Sequence, residues 1–295
     1  MKTGAAAALL VNAFIWGVSW WPFQQLQAQG LHPLWATALV YSISLVCIAA
    51  WQPQAWRGFV AHPQLWLLML AAGLTNVGFN WAVTVGDVIR VVLLFYMMPA
   101  WAVLLAWLLL GEKPGLPALL RLALALTGVV VVLKTPDAPW PLPRDAVDAL
   151  SLMGGFCFAL TNILLRRLAH TPSPARMLAM FGGGAVLAAA AGLAVGGLAA
   201  PPALDRTGWV LAAVLTLGFL ASNLALQYGA ARLTAGATAL IMLSEIVFAS
   251  GSSALLGAAE LTSRSVLGGA LILLAALLAA ASEDAPGAKQ DPQKT

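Results

Sequence analysis

The sequence predicts an all-α membrane protein: ten transmembrane helices arranged as two inverted five-helix repeats. Three observations carry that expectation. Apolar residues make up 61% of the 295-residue chain and charged residues only 9%, against roughly 25% charged residues in soluble domains. Long apolar runs, almost free of charge, alternate with short polar connections, and each run suffices for a ~30 Å hydrocarbon core. Finally, the two halves echo each other while each holds an odd number of runs.

Cutting at Pro, Gly and charged positions gives helices over 4–24, 33–51, 65–86, 90–110, 117–134, 146–167, 175–197, 208–229, 234–257 and 264–282. The first run follows Lys2 but contains Asn12, three tryptophans and Pro22, a pattern of a retained helix rather than a cleaved signal peptide. The segment QPQAWRGFVAHP reads as a connection between the second and third helices. Pro99 lies inside the fourth, where it removes a backbone hydrogen bond and predicts a kink. The Pro-rich TPDAPWPLPRD separates the first repeat, 1–134, from the second, 146–282, and the polar tail 283–295 reads as disordered.

Counting Lys and Arg sets the orientation. With the amino terminus in the cytoplasm, that side collects Lys2, Arg57, Lys113, Arg121, Arg166, Arg167, Arg176, Arg232, Lys289 and Lys294. The opposite side collects Arg90, Lys134, Arg144, Arg206 and Arg264. A ten-to-five bias predicts both termini inside. These cations sit singly at helix ends and form no stripe, which argues against nucleic acid as a partner and for a lipid bilayer.

The repeat is clearest at an offset of 143 residues, where WLLMLAAGLTNVGFNWAVTVG (66–86) lies over WVLAAVLTLGFLASNLALQYG (209–229). That offset pairs Trp66 with Trp209, Asn80 with Asn223 and Gly86 with Gly229. An offset of 142 aligns Leu10 with Leu152 and Phe14 with Phe156, and one of 148 aligns Glu112 with Glu260. With five helices per copy, the second must stand upside down relative to the first. Inverted repeats of this kind build secondary transporters, whose site lies near the midplane where the copies meet.

Two segments resemble a known family. YMMPAWAVLLAWLLLGEKP (96–114) is similar to the "Pro, apolar, LLLGE" close of the fourth helix in the EamA family of the drug/metabolite transporter superfamily. LSEIVFASGSSALLGAAELT (243–262) resembles its second copy, with Glu245 on the family glutamate, Val247 near a common proline, and Ala259-Glu260 in place of Gly-Glu. Within that superfamily, IWGVSWWPFQQLQAQGLHPLWATAL (15–39) looks most like the bacterial aromatic amino acid exporters, which are also associated with resistance to the dication methyl viologen. The resemblance implies a multi-pass exporter of the bacterial inner membrane with a central cavity lined by both repeats, and amino acids as cargo.

Polar groups inside a membrane are costly, so each is a candidate for the site or for helix packing. Asn76 and Asn80 share one face of the third helix, and Asn223 and Gln227 one face of the eighth. Asn162 takes the repeat position of Trp20. Amides beside flat apolar walls suit a zwitterion with an aromatic side chain, and Trp20, Tyr96, Trp101, Phe158 and Tyr228 are the wall candidates. Trp51, Trp56, Trp66, Trp140 and Trp209 fall near predicted interfaces, as an aromatic belt does. The pairs Gly192 with Gly196 and Ser253 with Gly257 read as close helix contacts.

Glu245 sits mid-helix and its repeat partner is Met97. Three readings stand for it: a proton carrier, a contact for the cargo's ammonium, or an anchor bonded to an amide such as Asn223 or Gln227. Catalysis is not expected. His32, His62 and His170 fall in loops, no HExxH or GxSxG occurs, and Asp87 in VGDVI has no second buried aspartate. Cys47 and Cys157 lack metal-binding spacing, so neither metal nor cofactor is expected. No Walker motif is present and no ATPase subunit is implied. The reading is a monomer with a small-molecule substrate and a flux that is downhill, exchange-driven or ion-coupled.

Overall fold

Helix ends fall where the sequence places residues able to hold them. Asp145 and Asp205 each accept a hydrogen bond from the amide three residues on, Asp148 at 2.9 Å and Gly208 at 2.7 Å. Thr234 does the same for Ala237, and the His32 ring accepts from the Leu34 amide ahead of Pro33. Each supplies an acceptor to an otherwise orphan helix donor. At the other end, Gly111 closes its helix in the left-handed conformation, φ 70°.

The computed structural model describes residues 2–85, 88–133, 143, 145–196, 203–257 and 262–284. Gly86, Asp87, Lys134, Trp140, Arg144, Ala259, Glu260 and the tail beyond Asp284 lie outside them. Every regular element described is an α-helix: α1 (Lys2–Ala28), α2 (Pro33–Trp51), α3 (Ala55–Ala61), α4 (Gln64–Val85), α5 (Val88–Phe95), α6 (Met98–Leu110), α7 (Leu116–Leu133), α8 (Ala146–Arg167), α9 (Ser173–Gly196), α10 (Arg206–Ala230), α11 (Ala235–Met242), α12 (Ser244–Leu255) and α13 (Ser263–Asp284). Ten spans among them are long and apolar enough to cross a membrane. Trp51, Trp56, Trp66 and Trp209 are all more than half exposed, as residues facing a lipid boundary are.

The structure departs from the sequence reading in four places. The connection before the third span contains a short helix, α3, whose seven residues are too few for a periodic signal. Glu283 and Asp284 still belong to α13 rather than to the tail. The fourth and ninth spans are each two helices. α5 ends before a turn at Tyr96–Met97, two residues ahead of Pro99, and α11 ends at Leu243. Both breaks are single tightened turns, with Met97 donating to the Leu94 carbonyl and Leu243 to that of Leu240. Finally, Gly257 is a left-handed residue after α12 with nothing near its Cβ position, so it makes no helix contact with Ser253.

Packing follows the internal repeat. α4 lies along α8 as α10 lies along α1, and α6 meets α8 as α12 meets α1. α2 packs on its equivalent α9, and α7 on its equivalent α13. Residues on such an axis must meet their own counterparts. Tyr41 and Gly184 are 143 residues apart, and a Cβ at Gly184 would run into the Tyr41 ring. Only the glycine admits the large partner.

Backbone approach of this kind recurs along the core. A Cβ at Gly128 would lie 2.7 Å from the Gly268 carbonyl oxygen and one at Gly268 would lie 2.6 Å from that of Gly128. On the α4–α9 contact, a Cβ at Gly73 would stand 2.5 Å from the Gly183 oxygen, and one at Gly183 would collide with the Met69 carbonyl. Gly192 packs against the Trp35 indole. Small residues are how helices associate where lipid offers no hydrophobic drive. Replacing Gly183 by Ala is expected to lower stability by roughly 1–3 kcal/mol through overpacking. Gly251→Ala, on a helix with open space around it, is expected to be neutral or stabilising. Melting curves of the two variants in the same detergent check the opposite signs.

Candidate functional site: a central cavity at two broken helices

A cavity of about 830 Å³, mouth included, opens between the two repeats, lined by residues from α1, α2, α4, α5 and α8 through α12. Its walls are aromatic: Trp16, Tyr41, Phe79, Phe95, Phe158, Phe181 and Phe219. They brace one another, with Trp16 stacked on Phe219 at 4.6 Å and Phe79 against Phe95 at 4.7 Å. Between them stand Asn12, Thr75, Asn76, Asn80, Thr161, Ser222 and Asn223, and a single charged group, Glu245. No Lys, Arg or His is among the described lining residues.

The amides hold helices together through their donor ends. Asn12 donates to the carbonyl and hydroxyl oxygens of Ser222 at 2.9 and 2.6 Å, tying α1 to α10. Asn76 accepts from the Tyr41 hydroxyl at 3.0 Å and donates to the Ala72 carbonyl. Asn80 donates to the Thr37 hydroxyl at 2.7 Å, and Asn223 donates to the Met180 sulfur at 3.3 Å. Thr37 and Met180 are separated by the same 143 residues as Asn80 and Asn223, so one contact is the repeat image of the other. The Asn12 carbonyl oxygen and the Thr161 hydroxyl are buried with no partner among the described residues. The cavity therefore keeps hydrogen-bonding capacity that the fold does not use.

Glu245 lies in the first turn of α12, where the amino-terminal end of a helix favours negative charge. Its carboxyl group is hydrogen-bonded to the Tyr96 hydroxyl, at the break between α5 and α6. The two broken spans are thus joined at their breaks by one acid and one phenol. Residues 3–134, the first five spans, match the EamA-like transporter family.

Ten apolar spans make the chain a multi-pass membrane protein, and the family match covers the first five of them. A protein of known crystal structure superposes with a TM-score of 0.78 at 17% identity, covering 95% of this chain and 99% of its own, and so shares the fold. No curated protein sequence matches the chain.

Against this cavity the sequence-predicted residues divide. Asn76, Asn80, Phe158, Asn223 and Glu245 line it, and Tyr96 reaches it through Glu245. Five others lie away from the lining. Trp20 donates to the Ser252 hydroxyl at 3.0 Å and so fastens α1 to α12. Trp101 packs on Phe156. Asn162 is buried among α8's packing contacts with neither amide atom bonded among the described residues. Gln227 bonds Asn223, Ser173 and Arg176, and Tyr228 is exposed beneath Arg232. Glu245 finds a phenol rather than the Asn223 or Gln227 amide as its partner.

Sequence reasoning missed Tyr41, Phe181, Phe219 and Ser222. Two of them were discoverable: Tyr41 is one of only three tyrosines, and Ser222 adjoins Asn223. The two phenylalanines carry no signal distinguishing a cavity wall from core. Single cysteines at Asn80 and Ser222 are expected to react with a water-soluble maleimide, and one at the lipid-facing Leu217, 68% exposed, is expected to resist it. Equal labelling of all three would place no aqueous cavity here.

Proposed function

We propose that this chain is a secondary transporter exporting amino acids, chiefly aromatic ones, across the bacterial inner membrane by rocking of two inverted repeats, 1–134 and 146–282, with both termini in the cytoplasm. The observation that supports it best is the meeting of one carboxylate, Glu245, with seven aromatic walls in a single cavity. In this reading the cargo's ammonium pairs with Glu245 while its ring packs against Phe158 and the stacked Trp16–Phe219 pair. The Thr161 hydroxyl, without a partner among the described residues, donates to the cargo's carboxylate. The repeat-related contacts of Asn80 and Asn223 support a cavity shared between the copies.

One observation favours a second reading, efflux of cationic drugs such as methyl viologen. Among the described lining residues no basic side chain stands to neutralise a carboxylate, so a cargo lacking one loses nothing there. Proteoliposomes containing the protein are expected to move labelled phenylalanine and tryptophan well above empty controls, and Glu245→Gln to cut that flux at least about tenfold, the loss of one desolvated ion pair. Inhibition of phenylalanine flux by tyrosine but not by methyl viologen keeps the amino acid reading. Methyl viologen uptake that needs Glu245, without phenylalanine flux, replaces it with the second.

A further inference from the structure

A second concavity lies at the membrane end where the chain begins, outside the transport cavity. It is bounded by Ala8 of α1, by Ser173 and Arg176 at the start of α9, and by the last turns of α10. Arg176 is only 7% exposed, yet among the described residues it bonds neutral acceptors alone: the Gln227 side chain at 2.8 Å and the carbonyls of Leu168 and Thr171 at 2.8 and 2.7 Å. Arg232 lines the same space, its guanidinium 3.8 Å above the Tyr228 ring and donating to the Tyr228 carbonyl. No carboxylate among the described side chains bonds either guanidinium. Two like charges facing one pocket, one of them buried, make a standing demand for an anion.

The surface leading into this pocket says which anion. Leu217, Leu224 and Tyr228 recur at helical spacing on the exposed face of α10, at 68%, 41% and 40% exposure, and Arg232 follows just past the helix end. An apolar stripe running along a transmembrane helix and ending on an arginine, with a second arginine and the Ser173 hydroxyl beside it, has the layering of a phospholipid. We propose that this pocket binds the phosphate head of an anionic phospholipid, with an acyl chain lying along Leu224 and Leu217. The phosphate is held between Arg176 and Arg232, and the stripe, which a soluble phosphate would leave bare, favours lipid as its source.

Native mass spectrometry of the full-length protein, released from detergent carrying phosphatidylglycerol or phosphatidylcholine, tests this without any transport readout. Retention of phosphatidylglycerol at least about fivefold above phosphatidylcholine is expected, falling to parity in Arg232→Gln. Arg57→Gln, an exposed arginine at the same membrane end on α3, is expected to retain the preference. Arg232 sits past the end of α10 on the surface, so its variant folds even where Arg176→Gln does not. Equal retention of the two lipids, or an unchanged preference in Arg232→Gln, overturns the proposal. Displacement of phosphatidylglycerol by millimolar inorganic phosphate overturns the lipid assignment and leaves a free-anion site. Failure of amino acid flux has no bearing on any of these outcomes.

Discussion

Inside a hydrocarbon layer every backbone donor and acceptor has to be satisfied within the protein, and an irregular segment survives only where protein or a water-filled cavity surrounds it. That constraint organises this molecule. Ten apolar spans answer it by being helical, and the two that are not continuous, the fourth and the ninth, are interrupted at the cavity. Each interruption is kept short, one tightened turn with i to i−3 hydrogen bonds, so little backbone is left open. What is gained is a pair of helix starts in the middle of the membrane, one beginning with Met98-Pro99 and the other with Ser244-Glu245. A carboxylate placed on the second can be held by the helix end and by Tyr96 across the break.

The same constraint explains why the amides point as they do. Each of these asparagines has its donor end tied down, Asn12 on Ser222 and Asn80 on Thr37 of neighbouring helices, and Asn76 on its own helix at Ala72. An NH2 group left in lipid would cost a full desolvation penalty, so tying it down comes first. Packing and site chemistry are therefore carried by the same residues, and a substitution at Asn80 or Asn223 disturbs both. Glu245 differs, because its partner Tyr96 stands in the turn between α5 and α6 rather than on a helix packed along α12.

Much of this was legible in the sequence because the signals were periodic or repeated. Long apolar runs fixed the spans to within a few residues, and Pro99 marked the first break. The matched Asn80 and Asn223 pointed to the cavity through the repeat alone. The break at Leu243 was not legible: no proline or glycine stands there, and the turn is imposed by tertiary packing around a residue with ordinary helical torsions, φ −60° and ψ −18°. Trp20, Trp101 and Tyr228 were misplaced for a related reason. A helix presents aromatic residues to lipid, to neighbours and to a cavity alike, and a single sequence does not say which side is which. Gln227 was one turn too far along α10, and its amide is taken up by Arg176, Ser173 and Asn223.

The two repeats are not equal, and their inequality is chemical. Where the first copy has Tyr41 on the axis, the second has Gly184, and where the first has Asn12 bonded to Ser222, the second has Gly154 pressed against Phe79. Glu245 stands opposite Met97. In each case one copy supplies a functional group and the other supplies room or close backbone contact. The helix contacts carry the same bias, since α4 lies along α9 more extensively than its image α10 lies along α2. In a rocking mechanism between inverted repeats, exchanging those two contacts is what exchanges the open side of the cavity. The tight partner in the present arrangement is held by Gly73 and Gly183, whose backbones touch, whereas the looser one has Asn80 and Thr37 bridging α4 and α2 beside it. Where backbones meet at two glycines, no polar side chain has to be re-satisfied when the contact parts. That is the property an interface needs if it must open during every cycle while the polar bonds around the cargo stay made.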